Sequence, residues 1–367
     1  MGTLFDYLDW RGDITLEEYG LCEVDSLILA SLSYLDLYKI VPAAVSAKGV
    51  ELLPAVKRYV NTHKGEGNAM GLILPPQMIT GAVKAARSKR FGSLRIVGYV
   101  NHVDTDLEKQ FSALTFLSGE HTCIVAFRGT DDTIVGWKES FNMSFMLPIP
   151  AQIEAREYLD RVGRAYPNRK IYVCGHSKGG NLAVYAAVKC DADARARIVT
   201  AYNLDGPGFD KDFIASPEYL EMRERIRTIV PQSSIVGMLL EHEENYEVVQ
   251  SNGTGLLQHN GFSWEIMGGR FVHSDATTAQ SKYIDVTLKK WLAELGAEER
   301  KRIIDALYEI LSSTNAKTLT DLNADKLGVI KAWGTLDDES KKVIKRIVGL
   351  ILRRKVKHDK GDENSAE

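Results

Sequence analysis

Cysteine is scarce in this chain: four among 367 residues, at Cys22, Cys123, Cys174 and Cys190, with no Cys-x-x-Cys spacing. That excludes a disulfide framework or a thiolate metal site, and inside an apolar run a thiol such as Cys123 or Cys174 acts as a small hydrophobe. No apolar run approaches the length that spans a bilayer. Neither sign of charge dominates, because 46 Lys and Arg against 49 Asp and Glu leave a formal net charge of −3. Such a balance favours neither nucleic acid nor an anionic surface as a partner of the whole molecule. There is no His-Glu-x-x-His, no carboxylate loop of calcium-binding spacing and no internal repeat, so neither metal nor cofactor is expected. The opening residues Met1 to Asp6 are acidic rather than basic-then-apolar, and Asp6 stands where a myristoylation signal needs Ser or Thr. A reducing, cytoplasmic setting is the expectation. Hydrophobic content of 44% and charged content of 26% suit an ordinary globular protein.

What is present centres on Gly175-His176-Ser177-Lys178-Gly179, which fits Gly-x-Ser-x-Gly. An apolar run, Ile171 to Cys174, precedes it and a helix-like run, Asn181 to Ala187, follows. A serine on a sharp strand-to-helix turn has its hydroxyl exposed above a sheet, and crowding there demands small neighbours, here Gly175, Gly179 and Gly180. The helix N-terminus points N–H groups at an oxyanion forming beside the serine. The bland alternative is a Gly-rich βα turn with an idle serine.

The rest of the chain fits that context. Residues 1–92 read as helix and loop, with an apolar stripe at helical spacing over Leu21 to Leu37 and a second helix over Val50 to His63. Strands are expected at Leu94 to Val100, Phe111 to Phe116, Cys123 to Phe127, Ile198 to Leu204, Ile226 to Val230 and Tyr246 to Val249, with a helix over Ala151 to Tyr166. Strands alternating with helices imply βαβ crossovers and a mainly parallel sheet in residues 93–280. From 281 to 354 the pattern is helical (Ile284 to Leu295, Glu298 to Leu311, Ser340 to Leu352), and 355–367 reads as a disordered polar tail.

A serine hydroxyl needs a histidine to take its proton, and that histidine needs an acid to orient it. The order Ser177, Asp205, His259 supplies all three. Asp205 ends the strand after the elbow's helix, at the carboxyl edge of the sheet; it could instead cap its own turn. A rival place for the acid, after the next strand, holds Ser233 and Ser234, while Glu241, Glu243 and Glu244 stand further on. Of the histidines after the elbow, His242, His259 and His273 are candidates, and His259 is preferred for its loop after the last strand. His176 is expected to pack or hydrogen-bond locally. For the oxyanion, Lys178 can give one backbone N–H. Thr130, in Phe127-Arg128-Gly129-Thr130, can offer its N–H and hydroxyl, with Arg128 paired to Asp131 or Asp132.

Ala126-Phe127-Arg128-Gly129-Thr130 together with Gly175-His176-Ser177-Lys178-Gly179-Gly180 resembles the class 3 (fungal-type) lipases. More closely, Gly129-Thr130-Asp131-Asp132, Gly136-Trp137-Lys138-Glu139, the run from Gly175 to Ala187, Leu204 to Phe209, Val230 to Leu240 and Gln258 to Trp264 look like a bacterial family of uncharacterised lipase-like α/β-hydrolases. The resemblance spans roughly residues 1–290. It implies an α/β-hydrolase fold, Ser177 as nucleophile, His259 as base, and Thr130 and Lys178 as oxyanion donors. The chain departs from class 3 lipases at the acid, where Ser234-Ile235-Val236 occupies the usual Asp-x-Val place. Asp205 in Leu204-Asp205-Gly206-Pro207 is instead similar to the Leu-Asp-Pro acid of pancreatic-type lipases.

The expected activity is cleavage of carboxylic, lipid-like esters. The alternatives are a thioesterase or peptidase, and a weakly catalytic scaffold binding a lipid or protein partner. Two apolar stretches, Phe141 to Pro150 and Ile235 to Leu240, would line an acyl channel, form a lid or be plain core. The basic amphipathic segment Ser340 to Arg354 can lie weakly on anionic lipid or pack its apolar stripe on the domain.

Overall fold

The computed structural model describes residues 1–63, 77–234, 236–238, 240, 246–278 and 296–312, with positions 318, 334 and 341–342. One eight-stranded sheet runs through it, and its spatial order is the chain order. The strands are β1 (Val50–Glu51), β2 (Arg95–Asp104), β3 (Lys109–Ser118), β4 (Thr122–Phe127), β5 (Lys170–His176), β6 (Ile198–Leu204), β7 (Ile226–Pro231) and β8 (Glu247–Val249). Around them lie α1 (Leu4–Arg11), α2 (Glu23–Leu32), α3 (Leu52–Thr62), α4 (Gln77–Arg87), α5 (Ile134–Asn142), α6 (Pro150–Ala165), α7 (Lys178–Lys189), α8 (Pro217–Met222) and α9 (Ala297–Ser312). Strands β4 to β8 pair in parallel, giving the sheet expected around the elbow. Strands β1 to β4 pair antiparallel; for β2, β3 and β4 the links 105–108 and 119–121 are too short for a crossover helix.

From β4 to β8 the chain always steps the same way, so crossovers of one hand leave α6, α7 and α8 on one face. There α6 packs on β3 and α7 on β4, β5 and β6. The other face is covered by α2, which lies against β4, β5 and β6 with α1 and α4 packed beside it. Alternation along β4 serves both layers: Ile124 and Ala126 join the core under the N-terminal helices, while Cys123, Val125 and Phe127 join the core under α6 and α7. This is an α/β-hydrolase fold: helices flank both faces of the sheet, and the elbow lies at a carboxyl strand edge.

Boundaries differ from the sequence reading for local reasons. The stripe that begins near Leu21 is helical only over Glu23–Leu32, and Leu35 and Leu37 are buried from a turn instead. Val50 and Glu51 pair with Ile96 and Arg95, so the next helix starts at Leu52. Helix α9 takes the place expected for Glu298 to Leu311 and packs on α5. The expected helix Ile284 to Leu295 and the tail 355–367 lie outside the described residues, as does Ser340 to Arg354 apart from Lys341 and Lys342. No described helix is long and apolar enough to cross a membrane.

One buried ion pair ties the N-terminal layer together. Arg90 donates from Nε to Asp25 Oδ1 at 2.7 Å and from Nη2 to Asp25 Oδ2 at 2.5 Å, and both side chains are 0% exposed. Its remaining protons reach the carbonyls of Ile14, Thr15 and Gly20, while the Tyr7 hydroxyl donates to Asp25 at 2.7 Å. Removing one partner leaves the other charge buried and unmatched, at a cost of about 3–5 kcal/mol. Arg90→Ala is therefore expected to lower the unfolding free energy by about that much, read from chemical denaturation followed by tryptophan fluorescence.

Candidate active site

β5 ends at His176 and α7 begins at Lys178, which leaves Ser177 alone to reverse the chain at φ 59° and ψ −134°. Holding an L-residue there costs on the order of 1–3 kcal/mol and requires over-determining surroundings. They are present. A Cβ on Gly175 would overlap the Gly179 carbonyl, and one on Gly179 would overlap the Phe127 carbonyl, so strand, helix and the end of β4 meet at backbone distance. The Ser177 N–H donates to Leu204 O at 2.9 Å, and its carbonyl accepts from the Gly180 N–H at 2.8 Å.

Asp205 follows β6, also at positive φ (52°), and is 0% exposed. Its Oδ2 lies 2.7 Å from His259 Nδ1. A carboxylate only accepts, so Nδ1 carries the proton and Nε2 is left as the basic nitrogen. Oδ1 accepts from Ser234 Oγ at 2.5 Å and from the Gly237 N–H at 3.2 Å. Ser234, in the place where the resemblance to class 3 lipases would put an acid, thus donates to the Asp205 carboxylate. The rival carboxylates Glu241, Glu243 and Glu244 and the rival base His242 lie outside the described residues. His273 is engaged elsewhere, with Nε2 3.7 Å from both Glu23 and Glu247. Those three side chains have metal-ligand character, but Arg227 reaches each carboxylate at 2.6 Å and already offsets part of their charge.

His176 contributes more than local packing. Its Nε2 donates to the His259 carbonyl at 2.7 Å, and the two rings lie 4.5 Å apart. Burial, with His259 alongside, pulls its pKa down to about 3. A neutral ring thereby anchors the His259 backbone next to the elbow. Among the described residues the Ser177 hydroxyl is not hydrogen-bonded to His259. Such contacts frequently close only once substrate is bound.

The loop after β4 lies against the elbow. A Cβ on Gly129 would overlap the His176 carbonyl and the Tyr34 hydroxyl, so this glycine is set by close approach. Arg128 Nη2 donates to Asn101 and to Asp131, both at 2.8 Å, which is the pairing expected for it. Thr130 Oγ1 lies 2.6 Å from Ser140 Oγ, whose own proton goes to Gly136 O at 2.8 Å. Proton bookkeeping makes Thr130 the donor, so its hydroxyl is committed to Ser140 and only its N–H remains for an oxyanion. Among the described residues, the N–H groups of Thr130 and Lys178 make no hydrogen bond. Lys178 is the first residue of α7, where N–H groups lack an intrahelical partner, and Thr130 stands on the loop that adjoins Ser177.

One helical turn beyond Ser177, Asn181 borders a cavity of about 230 Å³ lined also by residues 143–147, Phe209, Leu240 and Arg300. Residues 143–147 of the first apolar stretch and Leu240 of the second border it, although Ser177 and His259 are not among its walls. The fold and this arrangement define a protein of the α/β-hydrolase fold. The sequence matches the Mbeg1-like family over residues 85–309, and the chain belongs to that family. No curated protein matches it. Among solved structures, a fungal lipase–inhibitor complex described as a model for interfacial activation in lipases is similar at 15% identity and TM-score 0.36, over 62% of this chain and 80% of that one. The crystal structure of M37 lipase is similar at 14% identity and TM-score 0.33, over 58% and 68%.

The depressed His176 pKa has a consequence for acid stability. Between pH 6.5 and about 3 the unfolded chain binds a proton at His176 that the folded chain does not, so this residue lowers stability as pH falls through that window. His176→Asn should flatten the decline of Tm with acidification between pH 6.5 and about 3 relative to the wild type, as measured by calorimetry.

Proposed function

We propose that this chain is a serine hydrolase of carboxylic esters, with lipid-like acyl esters as its substrate class, acting through an acyl-enzyme. The observation that carries the reading is the 2.7 Å bond between the buried Asp205 carboxylate and His259 Nδ1, next to a serine held at positive φ. His259 Nε2 takes the Ser177 proton as Oγ attacks the acyl carbon, and Asp205 steadies the imidazolium that results. The free N–H groups of Thr130 and Lys178 meet the developing oxyanion. His259 then returns the proton to the leaving alkoxide, and a water activated by the same histidine releases the acid. The apolar side chains of Met143, Phe145, Met146, Leu147, Phe209 and Leu240 on one part of the cavity wall support an acyl chain, while Asp210 and Arg300 add charge to the same wall.

The unmade bond between Ser177 and His259 favours a second reading, a weakly catalytic scaffold that binds a lipid or protein partner. Labelling by a fluorophosphonate separates the two. The enzyme reading expects labelling of the wild type that is lost in Ser177→Ala, whereas a folded wild type that stays unlabelled in detergent sinks it. Asp205→Asn should lower kcat on p-nitrophenyl esters by roughly 10⁴-fold, since the histidine then rests in the wrong tautomer. Near-normal turnover in that variant would remove Asp205 from the triad.

A further inference from the structure

Lys178 is an unexpected residue for its place. It is the first residue of α7, where the helix dipole disfavours a cation, and its side chain is only 1% exposed. Its ammonium group is nonetheless fully matched: Nζ donates to Glu139 Oε2 at 2.7 Å, to Gln110 O at 2.7 Å and to Gln110 Oε1 at 2.9 Å. Glu139 is 0% exposed and equally saturated, with Oε2 accepting from the Gln110 N–H at 3.0 Å and Oε1 from the Ala151 N–H at 2.9 Å. A buried pair of this kind often stabilises no more than apolar side chains of the same volume would, whereas its saturated, directional hydrogen bonds fix geometry.

The next residue of the same helix completes the pattern. Ser140 holds the Thr130 hydroxyl at 2.6 Å while Glu139 holds the Lys178 ammonium group. Neighbouring side chains of α5 therefore grip the two residues whose N–H groups are unpaired, one on the loop after β4 and one at the start of α7. We infer that Glu139 and Ser140 are positioning residues that keep the two oxyanion amides in register, Glu139 acting through Lys178 and Ser140 through Thr130. This rests on the hydrolase reading above. Neither side chain touches substrate; each acts by fixing a backbone donor whose misplacement by about 1 Å can cost on the order of 10²-fold in rate.

The test uses the full chain and p-nitrophenyl butyrate beside its thiono analogue, whose sulfur is a poor hydrogen-bond acceptor. Ser140→Ala should lower kcat for the oxo-ester about 10-fold with KM little changed, and the joint exchange Glu139→Leu with Lys178→Met about 100-fold, within the range for losing one oxyanion donor. Both should affect the thiono-ester far less, so the oxo-to-thiono rate ratio collapses. Ser140→Thr, which keeps the hydroxyl, should restore the ratio. A loss of folding alone would lower both rates together and leave the ratio intact, and that result overturns the inference. So does a ratio within twofold of wild type in folded Ser140→Ala, which serves even where the double exchange fails to fold. A wild type that neither turns over ester nor takes fluorophosphonate overturns the hydrolase reading, and this inference with it; an active wild type with unaltered variants overturns this inference alone.

Discussion

The structure depends on one steric constraint, the meeting of three backbones at Ser177. The end of β5, the start of α7 and the end of β4 approach so closely that a single methyl group on Gly175 or Gly179 would collide with a carbonyl. That closeness forces the positive φ of Ser177 and aims its hydroxyl away from the sheet. It also brings Gly129 against the elbow, so the loop bearing Thr130 and the helix bearing Lys178 adjoin. Asp205 satisfies the same geometry from the next strand: its own N–H extends the ladder to Ile229 O at 2.8 Å while its side chain turns to His259.

The second organising feature is the direction of winding. Because the chain steps from β4 to β8 without reversal, its crossover helices share one face and another segment must cover the opposite one. The N-terminal helices do so, and they also reach the site. Tyr34, just beyond α2, has its ring 6.5 Å from His176 and its hydroxyl at Gly129. Burial raises the pKa of that hydroxyl, which therefore stays neutral against the elbow. The layer that completes the core thus also forms part of the wall behind the candidate nucleophile.

Buried charge marks the places where geometry is held most tightly. Arg90 with Asp25 joins the N-terminal segments, and Lys178 with Glu139 joins β3, α5, α6 and α7 beneath the candidate oxyanion site. Apolar side chains of equal volume would fill either space, but they would not fix direction, because dispersion contacts are nearly isotropic while saturated ammonium and guanidinium groups are not.

The elbow was legible in the sequence because it is a local rule: three glycines, a serine and a strand–helix boundary lie within a few residues. The parallel strands were legible for the same reason, since period and length are read in short windows. The order Ser177, Asp205, His259 narrowed the candidates but left Asp205 beside several rivals, because 54 residues separate Asp205 from His259 and nothing local specifies that approach. Only the tertiary structure placed Ser234 on Asp205, the His176 ring under the His259 carbonyl and Glu139 on Lys178. Each of these contacts joins segments from different strands or helices, and their partners are chosen by the sheet order and the twist between elements. A single sequence records which side chains are present. The packing of distant segments decides which of them share a proton.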